Sequence, residues 1–329
     1  MRAIVVREFG GPEELRIEVV PDPVPGDGEI LVRVEVIGIQ FVETQVRTGR
    51  LQGVSPVAPA GLPWTPGREV AGIVAAVGPG ADPALLGRRV AGQTPAQGGY
   101  AELAVLPAAR AHLLPEQLSS TDAVALLGTG RTSVGLVETA GIGKGDTVLV
   151  ESAAGAVGAQ VIQLARAAGA ERVIGLARGA EKLALVKELG ADIAVDYTAE
   201  DWPAQVRAAA PEGVTVVLDG VGGDIGRQAF DLTARGGRFV VFGFASGTPT
   251  VLDPAVVAER GIVTPAYLGP PTGPRSPEEQ LRQMREALGA AAEGRLKPLV
   301  GRSFPLAEAA AAHTAISNRE TVGKTVLVP

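Results

Sequence analysis

Residues 148–170 read VLVESAAGAVGAQVIQLARAAGA. An apolar run enters a cluster of alanines and glycines. The cluster opens a segment in which Val157, Val161, Leu164 and Ala168 recur at helical spacing, so one face is apolar. Strand, small-residue turn and helix in this order make the phosphate-binding half of a βαβ unit. The string is nearly G-x-G-x-x-G, with Ala153 where the first glycine should stand. Gly155 lets the backbone approach a pyrophosphate, and Gly158 lets helix pack closely on strand. The helix N-terminus then offers unpaired N–H groups and the positive end of a dipole.

Working outward, the stretch is the first of a series. RVIGL, IAV, VTVVLD and GRFVVFG are strand-like, and helices are expected over residues 181–189, 201–209 and 225–233. Strands spaced by such helices imply a parallel, doubly wound sheet. The chain then runs through GIVTPAYL, expected as the edge strand near residues 262–268, and a loop LGPPTGPRSP. A helix is expected from Pro277 to Glu293, with Pro277 suiting its first turn and Gly294 its C-terminal cap. Upstream, RAIVV, EILVRVEVIGI, EVAGIVAAVG, RRVAG and YAELAVL are rich in Val and Ile and bounded by Pro or Gly, which predicts a strongly curved antiparallel β domain. The tail, with LVGRSFPL, a helix near 306–317 and KTVLVP, returns to β patterning and is expected to rejoin the first domain. The expected fold class is α/β: a discontinuous β-rich domain of residues 1–122 with 295–329, and a nucleotide-binding domain of residues 123–294.

Bulk properties narrow the chemistry. The chain has 329 residues, no cysteine, two histidines and a formal net charge of −6. Disulfides, thiol nucleophiles and Cys-ligated metals are excluded, and a His-rich metal site is too. No long basic run argues for nucleic acid. No segment approaches 18 uninterrupted apolar residues, and MRAIVVREFG reads as a strand rather than a signal peptide, so no membrane span and a cytoplasmic location are expected.

The segment ERVIGLARGAEKL names the nucleotide. An acid ending the second strand would hold a ribose 2′-OH and repel a 2′-phosphate. No Asp or Glu stands between Arg172 and Ala180; Arg178 ends the strand and Lys182 lies one turn into the next helix. Both suit a 2′-phosphate, which favours NADPH over NADH.

Further segments, PWTPGREVAGIVAAVG, GGYAELAV, LLGTGRTSVGLV, KELGADIAVDYTAED, VLDGVGGD, GGRFVVFGFASG and the closing NRETVGKTVLVP, are ordered and spaced as in a known family. The chain resembles the zinc-free medium-chain dehydrogenases/reductases of the quinone oxidoreductase type, essentially end to end. The resemblance implies a GroES-like catalytic domain and a Rossmann domain, and an alanine-rich start to the phosphate loop is normal there. By position it implies that Ala154, Gly155, Ala156, Val157 and Gly158 line the pyrophosphate, and that Tyr197 joins Arg178 and Lys182 around the 2′-phosphate. Thr132, Phe242 and Gly243 fall at the nicotinamide, and Arg319 reaches the cofactor from the other domain. Zinc-dependent relatives carry a Gly-His-Glu motif where this chain has Gly67-Arg68-Glu69, so no zinc is expected. The family's pairing implies a homodimer through residues 262–268, which would also cover a sheet edge.

The substrate motif departs from the family. In GIQFVETQVRTGRLQ, Gln40 replaces Asn, Glu43 replaces Asp and Gln45 replaces Tyr. Gln40 and Thr132 are the expected donors to a developing oxyanion, with Gln45 and Tyr267 lining the substrate. Glu69, Tyr100, His112 and His313 are expected to be structural. The expected reaction is hydride transfer from NADPH to a small quinone or α,β-unsaturated carbonyl. The alternatives are a 2-enoyl-thioester or polyketide enoyl reductase, and an NADPH-binding protein with little turnover.

Overall fold

The computed structural model describes residues 1–53, 58–95, 97–267 and 276–329. Along the chain, β1 (Arg2–Val5), β2 (Arg16–Val19) and the long β3 (Glu29–Gly38) come first, followed by helix α1 (Phe41–Arg47). Next are β4 (Glu69–Val77), β5 (Arg89–Gln93), β6 (Leu103–Pro107), β7 (His112–Leu113) and α2 (Ser120–Val124). Helix α3 (Gly128–Ala140) then leads into the alternation β8 (Thr147–Val150), α4 (Ala156–Ala167), β9 (Arg172–Ala177), α5 (Ala180–Glu188), β10 (Ile193–Asp196), α6 (Trp202–Ala209), β11 (Val214–Asp219), α7 (Gly223–Asp231) and β12 (Thr233–Val241). Helices α8 (Pro254–Arg260) and α9 (Pro277–Ala292) follow, and then β13 (Val300–Pro305), α10 (Ala309–Ser317) and β14 (Lys324–Val328).

Two compact units divide this chain, Met1–Gly128 with Leu288–Pro329, and Thr129–Ala287. The sequence placed the divisions at 122/123 and 294/295.

The first unit is a β-sheet domain. Its main sheet runs β13-β14-β3-β4-β5-β7, with β6 also on β3. Every pairing in it is antiparallel except β13 with β14. β3 alternates buried and less buried side chains along Glu29–Val34, as a strand with one covered face must. At Val36–Gly38 it is buried on both faces, where β14 joins it at Ile37 and Gly38. A Cβ on Gly38 would stand 2.6–2.9 Å from Val124, Lys324 and Glu69, so glycine is what lets these groups meet there. The core draws Ile4, Ile30, Val70, Tyr100 and Leu106 from the front of the chain, and Phe304, Leu306, Ala312 and Leu327 from its end.

The second unit is the expected doubly wound domain, a parallel sheet ordered β10-β9-β8-β11-β12. β9 and β11 are buried almost throughout, because helices cover both faces of such a sheet. Phe230 of α7 meets Phe239 of β12 edge to face, with centroids 5.5 Å apart, a pairing worth about 1 kcal/mol beyond area burial. The strand order reverses between β8 and β11, the switch point where such sheets bind ligands.

The expected edge strand near 262–268 is corrected. It makes a single parallel bridge, Val263 with Arg238. Pro265, two residues on, has no N–H to continue a ladder. Leu268 and the loop over 268–275 lie outside the described residues. Among the described residues no helix is long and apolar enough to cross a membrane.

Candidate functional site

The switch point carries the β8–α4 turn. Ala153 donates its N–H to Leu176 O at 3.0 Å and is fully buried, seated against the bare Cα of Gly175. The unusual backbone falls on Ser152, at φ 51°, and Gly155 N closes the turn on Ser152 O at 2.8 Å. Ala153 therefore needs no left-handed torsion, which is why the missing first glycine does no harm. Gly158 is a different matter. A Cβ there would lie 2.4 Å from Ser152 O and 2.8 Å from Ala153 Cα, so helix and turn touch only because it is glycine. The first capped helical bond runs from Ala159 N to Gly155 O at 2.9 Å. That leaves the N–H groups of Ala156, Val157 and Gly158 at the positive end of α4, on a turn kept bare by Gly155.

Arg178 follows β9 and is exposed, and Lys182 sits in the first turn of α5. Tyr197 N reaches Ala177 O at 3.3 Å, which brings Tyr197 beside Arg178. One acid also arrives here. Asp196, ending β10, accepts Gly179 N at 2.8 Å and Thr198 Oγ1 at 2.6 Å. Against the burial that raises it, those hydrogen bonds and the Arg178 charge hold its carboxyl below the ordinary range. The sequence hid this acid because it comes from the third strand of the sheet, not the second.

Under the crevice lie Glu151, after β8, and Asp219, ending β11, both fully buried. Val221 N donates to Glu151 Oε2 at 2.9 Å and to Asp219 Oδ1 at 3.1 Å. Gly222 N and Thr250 Oγ1 complete Asp219, at 2.7 and 2.5 Å. Burial, and then the Asp219 charge, push the Glu151 carboxyl well above its ordinary value. The pair fixes the turn that starts α7. A charged letter inside the apolar run VLVES was the available signal. Phe242 and Gly243 follow β12 and donate their N–H groups to Asp219 O at 2.8 and 3.3 Å. Phe242 lies against Gly220, where a Cβ would be 2.4 Å from its ring. Two expected residues also meet, since the Tyr267 hydroxyl donates to the Thr132 carbonyl at 3.2 Å.

The first unit holds the substrate-motif residues. Gln40 caps α1, and Gln45 lies in it with Nε2 on Thr44 Oγ1 at 3.1 Å. Gln40 Nε2 donates to Glu69 Oε1 at 2.6 Å. The same oxygen takes Gly128 N at 2.8 Å, and Glu69 Oε2 takes Lys324 Nζ at 2.5 Å. Glu69 and Lys324 are 0% and 2% exposed, a buried pair whose hydrogen bonds hold one donor of Gln40 in place. A lysine opening an apolar strand was the sequence signal for this partner. Arg319 stands beyond α10, exposed, at φ 59°. Among the described residues no group of three or more His, Cys, Asp or Glu could hold a metal ion.

Comparison with known proteins supports both domains. Residues 26–116 match the alcohol dehydrogenase GroES-like domain, and residues 156–270 match the zinc-binding dehydrogenase family model. A quinone oxidoreductase of Pseudomonas aeruginosa is 34% identical, over 98% of this chain and 97% of its own. A 2-haloacrylate reductase of Burkholderia sp is 32% identical, over 99% and 98%. The crystal structure of Escherichia coli quinone oxidoreductase complexed with NADPH superposes with a TM-score of 0.89 at 30% identity, covering 100% of both chains. With a GroES-like β domain, a doubly wound domain and relatives of this length matched from end to end, the chain belongs to the quinone oxidoreductase type of the medium-chain dehydrogenase/reductase family.

Proposed function

We propose that the protein is an NADPH-dependent reductase of quinones or of α,β-unsaturated carbonyl compounds. The observation that carries the reading is the β8–α4 turn, bare at Gly155 and Gly158, with Arg178 and Tyr197 side by side at the next strand. That combination fits a pyrophosphate and a 2′-phosphate. Bound NADPH would supply a hydride. Ala154 to Gly158 would hold the pyrophosphate through backbone N–H groups. Arg178 and Lys182 would hold the 2′-phosphate, with Asp196 keeping the Arg178 loop in place. Phe242 and Gly243 would back the nicotinamide, and Arg319 would add a contact from the first unit.

Charge develops on the acceptor oxygen as hydride arrives, and hydrogen-bond donors aimed there lower the barrier. We assign this role to the second N–H of Gln40 and to Thr132. Glu69 and Lys324 hold the Gln40 amide still, so its orientation is set before substrate arrives. A delocalised quinol or enolate oxyanion can take its proton from water. Reduction of a conjugated C=C has separate support in the 2-haloacrylate reductase relative. We further propose a homodimer through the sheet edge near residues 262–268, where Val263 bridges to Arg238 and is 54% exposed.

The test is NADPH oxidation with 1,4-benzoquinone, 9,10-phenanthrenequinone, an alkyl enone, 2-chloroacrylate and crotonyl thioesters, each repeated with NADH. Turnover of quinones or enones supports the reading. Turnover confined to thioesters would replace it with an enoyl-thioester reductase. Tight NADPH binding without turnover on any of them would mean a nucleotide-binding protein instead.

A further inference from the structure

Behind the cap of α1 lies a chain of three buried side chains from three separate segments. Glu43 is 2% exposed, and Tyr100 and His313 are 0% exposed. The Tyr100 hydroxyl stands 2.8 Å from Glu43 Oε2 and 3.0 Å from His313 Nε2. Glu43 Oε2 also accepts the backbone N–H of Gln40 at 2.9 Å. Both outer ends of the chain, Glu43 Oε1 and His313 Nδ1, are buried with no hydrogen-bond partner.

A hydroxyl carries one proton and can also accept one, so the middle member allows two opposite arrangements of the inner hydrogen bonds. With Glu43 ionised, His313 Nε2–H donates to the tyrosine oxygen and the tyrosine O–H donates to Glu43. With Glu43 protonated on Oε2, the carboxyl O–H donates to the tyrosine oxygen, the tyrosine O–H donates to His313 Nε2, and the imidazole carries its proton on Nδ1. The second arrangement holds one proton more than the first, taken from solvent. The histidine is neutral in both.

We propose that Glu43, Tyr100 and His313 form a proton-driven tautomer switch: uptake of one proton at Glu43 reverses both hydrogen bonds, moves the His313 proton from Nε2 to Nδ1, and slackens the α1 cap that positions Gln40. Glu43 is thus a positioning residue, and its effect on turnover rests on the role assigned to Gln40 above. The cap weakens because Gln40 N–H exchanges a carboxylate acceptor for an oxygen that now carries a proton.

The surroundings put the switch near neutrality. Burial pushes the Glu43 carboxyl up to about 7, with the Glu69 charge of β4 adding to it. The Gln40 N–H, the Tyr100 O–H and Lys324 of β14 oppose that rise. Burial, and then the Arg47 charge of α1, bring His313 down to about 3, so the proton settles on the acid and not on the imidazole. Burial and Glu43 push the Tyr100 phenol well above its ordinary value, so it stays un-ionised throughout.

Nitrogen-15 NMR of histidine-labelled protein reads the tautomer directly, with His112 as the second signal. We expect His313 as the Nε2–H form at pH 8.5 and the Nδ1–H form at pH 5.5, with a midpoint near 7. Tyr100→Phe breaks the relay, and its His313 tautomer should no longer follow pH. Glu43→Gln should give one tautomer at every pH. A wild-type His313 that keeps one tautomer across the range, or one that switches equally in Tyr100→Phe, overturns the proposal. The pH profile of kcat/KM should also inflect near 7 in the wild type and not in Glu43→Gln; its absence while the tautomer switches would overturn the link to Gln40. The NMR titration needs no substrate, so a protein inactive on every acceptor would refute the proposed reaction while the switch is still decided.

Discussion

Replacing Glu43 with glutamine should uncover a pH dependence of stability that, in the parent protein, the Glu43 and His313 contributions cancel between them. In the native state Glu43 titrates at about 7, raised by burial from 4.5. His313 titrates at about 3, lowered by burial from 6.5. A raised acid contributes stability fully present below 4.5 and lost as pH rises through 7. A lowered imidazole contributes stability fully present above 6.5 and lost as pH falls towards 3. Between pH 4.5 and 6.5 the native pair holds one proton, on the glutamate, and the unfolded pair also holds one, on the histidine. The two slopes cancel. Glu43→Gln leaves the histidine slope alone, so stability should rise with pH at up to about 1.4 kcal/mol per unit. Over the window this amounts to about 2 kcal/mol, since the change is gradual near each pKa. Urea unfolding at pH 4.5, 5.5 and 6.5 measures it. A Trp202→Phe background leaves Trp64, buried in the first unit, as the reporter. The mirror variant His313→Gln should lose about the same amount over the same window. Curves for parent and Glu43→Gln that stay parallel would refute the reasoning.

Arg178→Ala should weaken NADPH binding by about 10- to 100-fold, the loss of one or two charged hydrogen bonds, and leave NADH nearly unchanged; equal losses by fluorescence titration would remove Arg178 from the 2′-phosphate site. Gly158→Ala must push a Cβ into Ser152 O, 2.4 Å away, so we expect about 1–3 kcal/mol of destabilisation and a matching fall in NADPH affinity, with near-normal binding as the contrary result. Lys324→Met strands the Glu69 carboxylate and should cost about 3–5 kcal/mol in urea unfolding; adding Glu69→Gln should recover most of it, and no recovery would mean the lysine acts through packing. Light scattering should give a dimer that Val263→Glu converts to monomer; a monomeric parent would end the pairing proposal.

The sequence disclosed what is local. Apolar runs and helical spacing placed β8, α4 and the strands after them, and Gly158 carried its packing role openly. It was silent where a torsion or a distant partner decides. The left-handed torsion fell on Ser152, which no letter pattern marks. Asp196 reached the Arg178 loop from a third strand. Glu43, Tyr100 and His313 are separated by 57 and 213 positions, and each alone reads as an ordinary buried residue. Gln40 and Glu43 looked like altered substrate-motif letters, yet together they cap one helix, and Gln40 also donates to the buried Glu69 carboxylate. The edge strand near Val263 failed because β-type composition persisted past a proline that ends the pairing.

The pairing of Lys324 with Glu69 across 255 residues has a consequence for biosynthesis. The second unit is one continuous segment, Thr129–Ala287, and is wholly made before Lys324 is added. At about 5–20 residues per second, the ribosome delivers the cation roughly 10–50 s after its acid. In that interval β3 has no β14 beside it, and a carboxylate destined for the core has no counter-charge. The part of the protein translated first is therefore the part that matures last. A chain ended at Ala287 and released from the ribosome should show a folded nucleotide domain tethered to an open, protease-sensitive β-sheet.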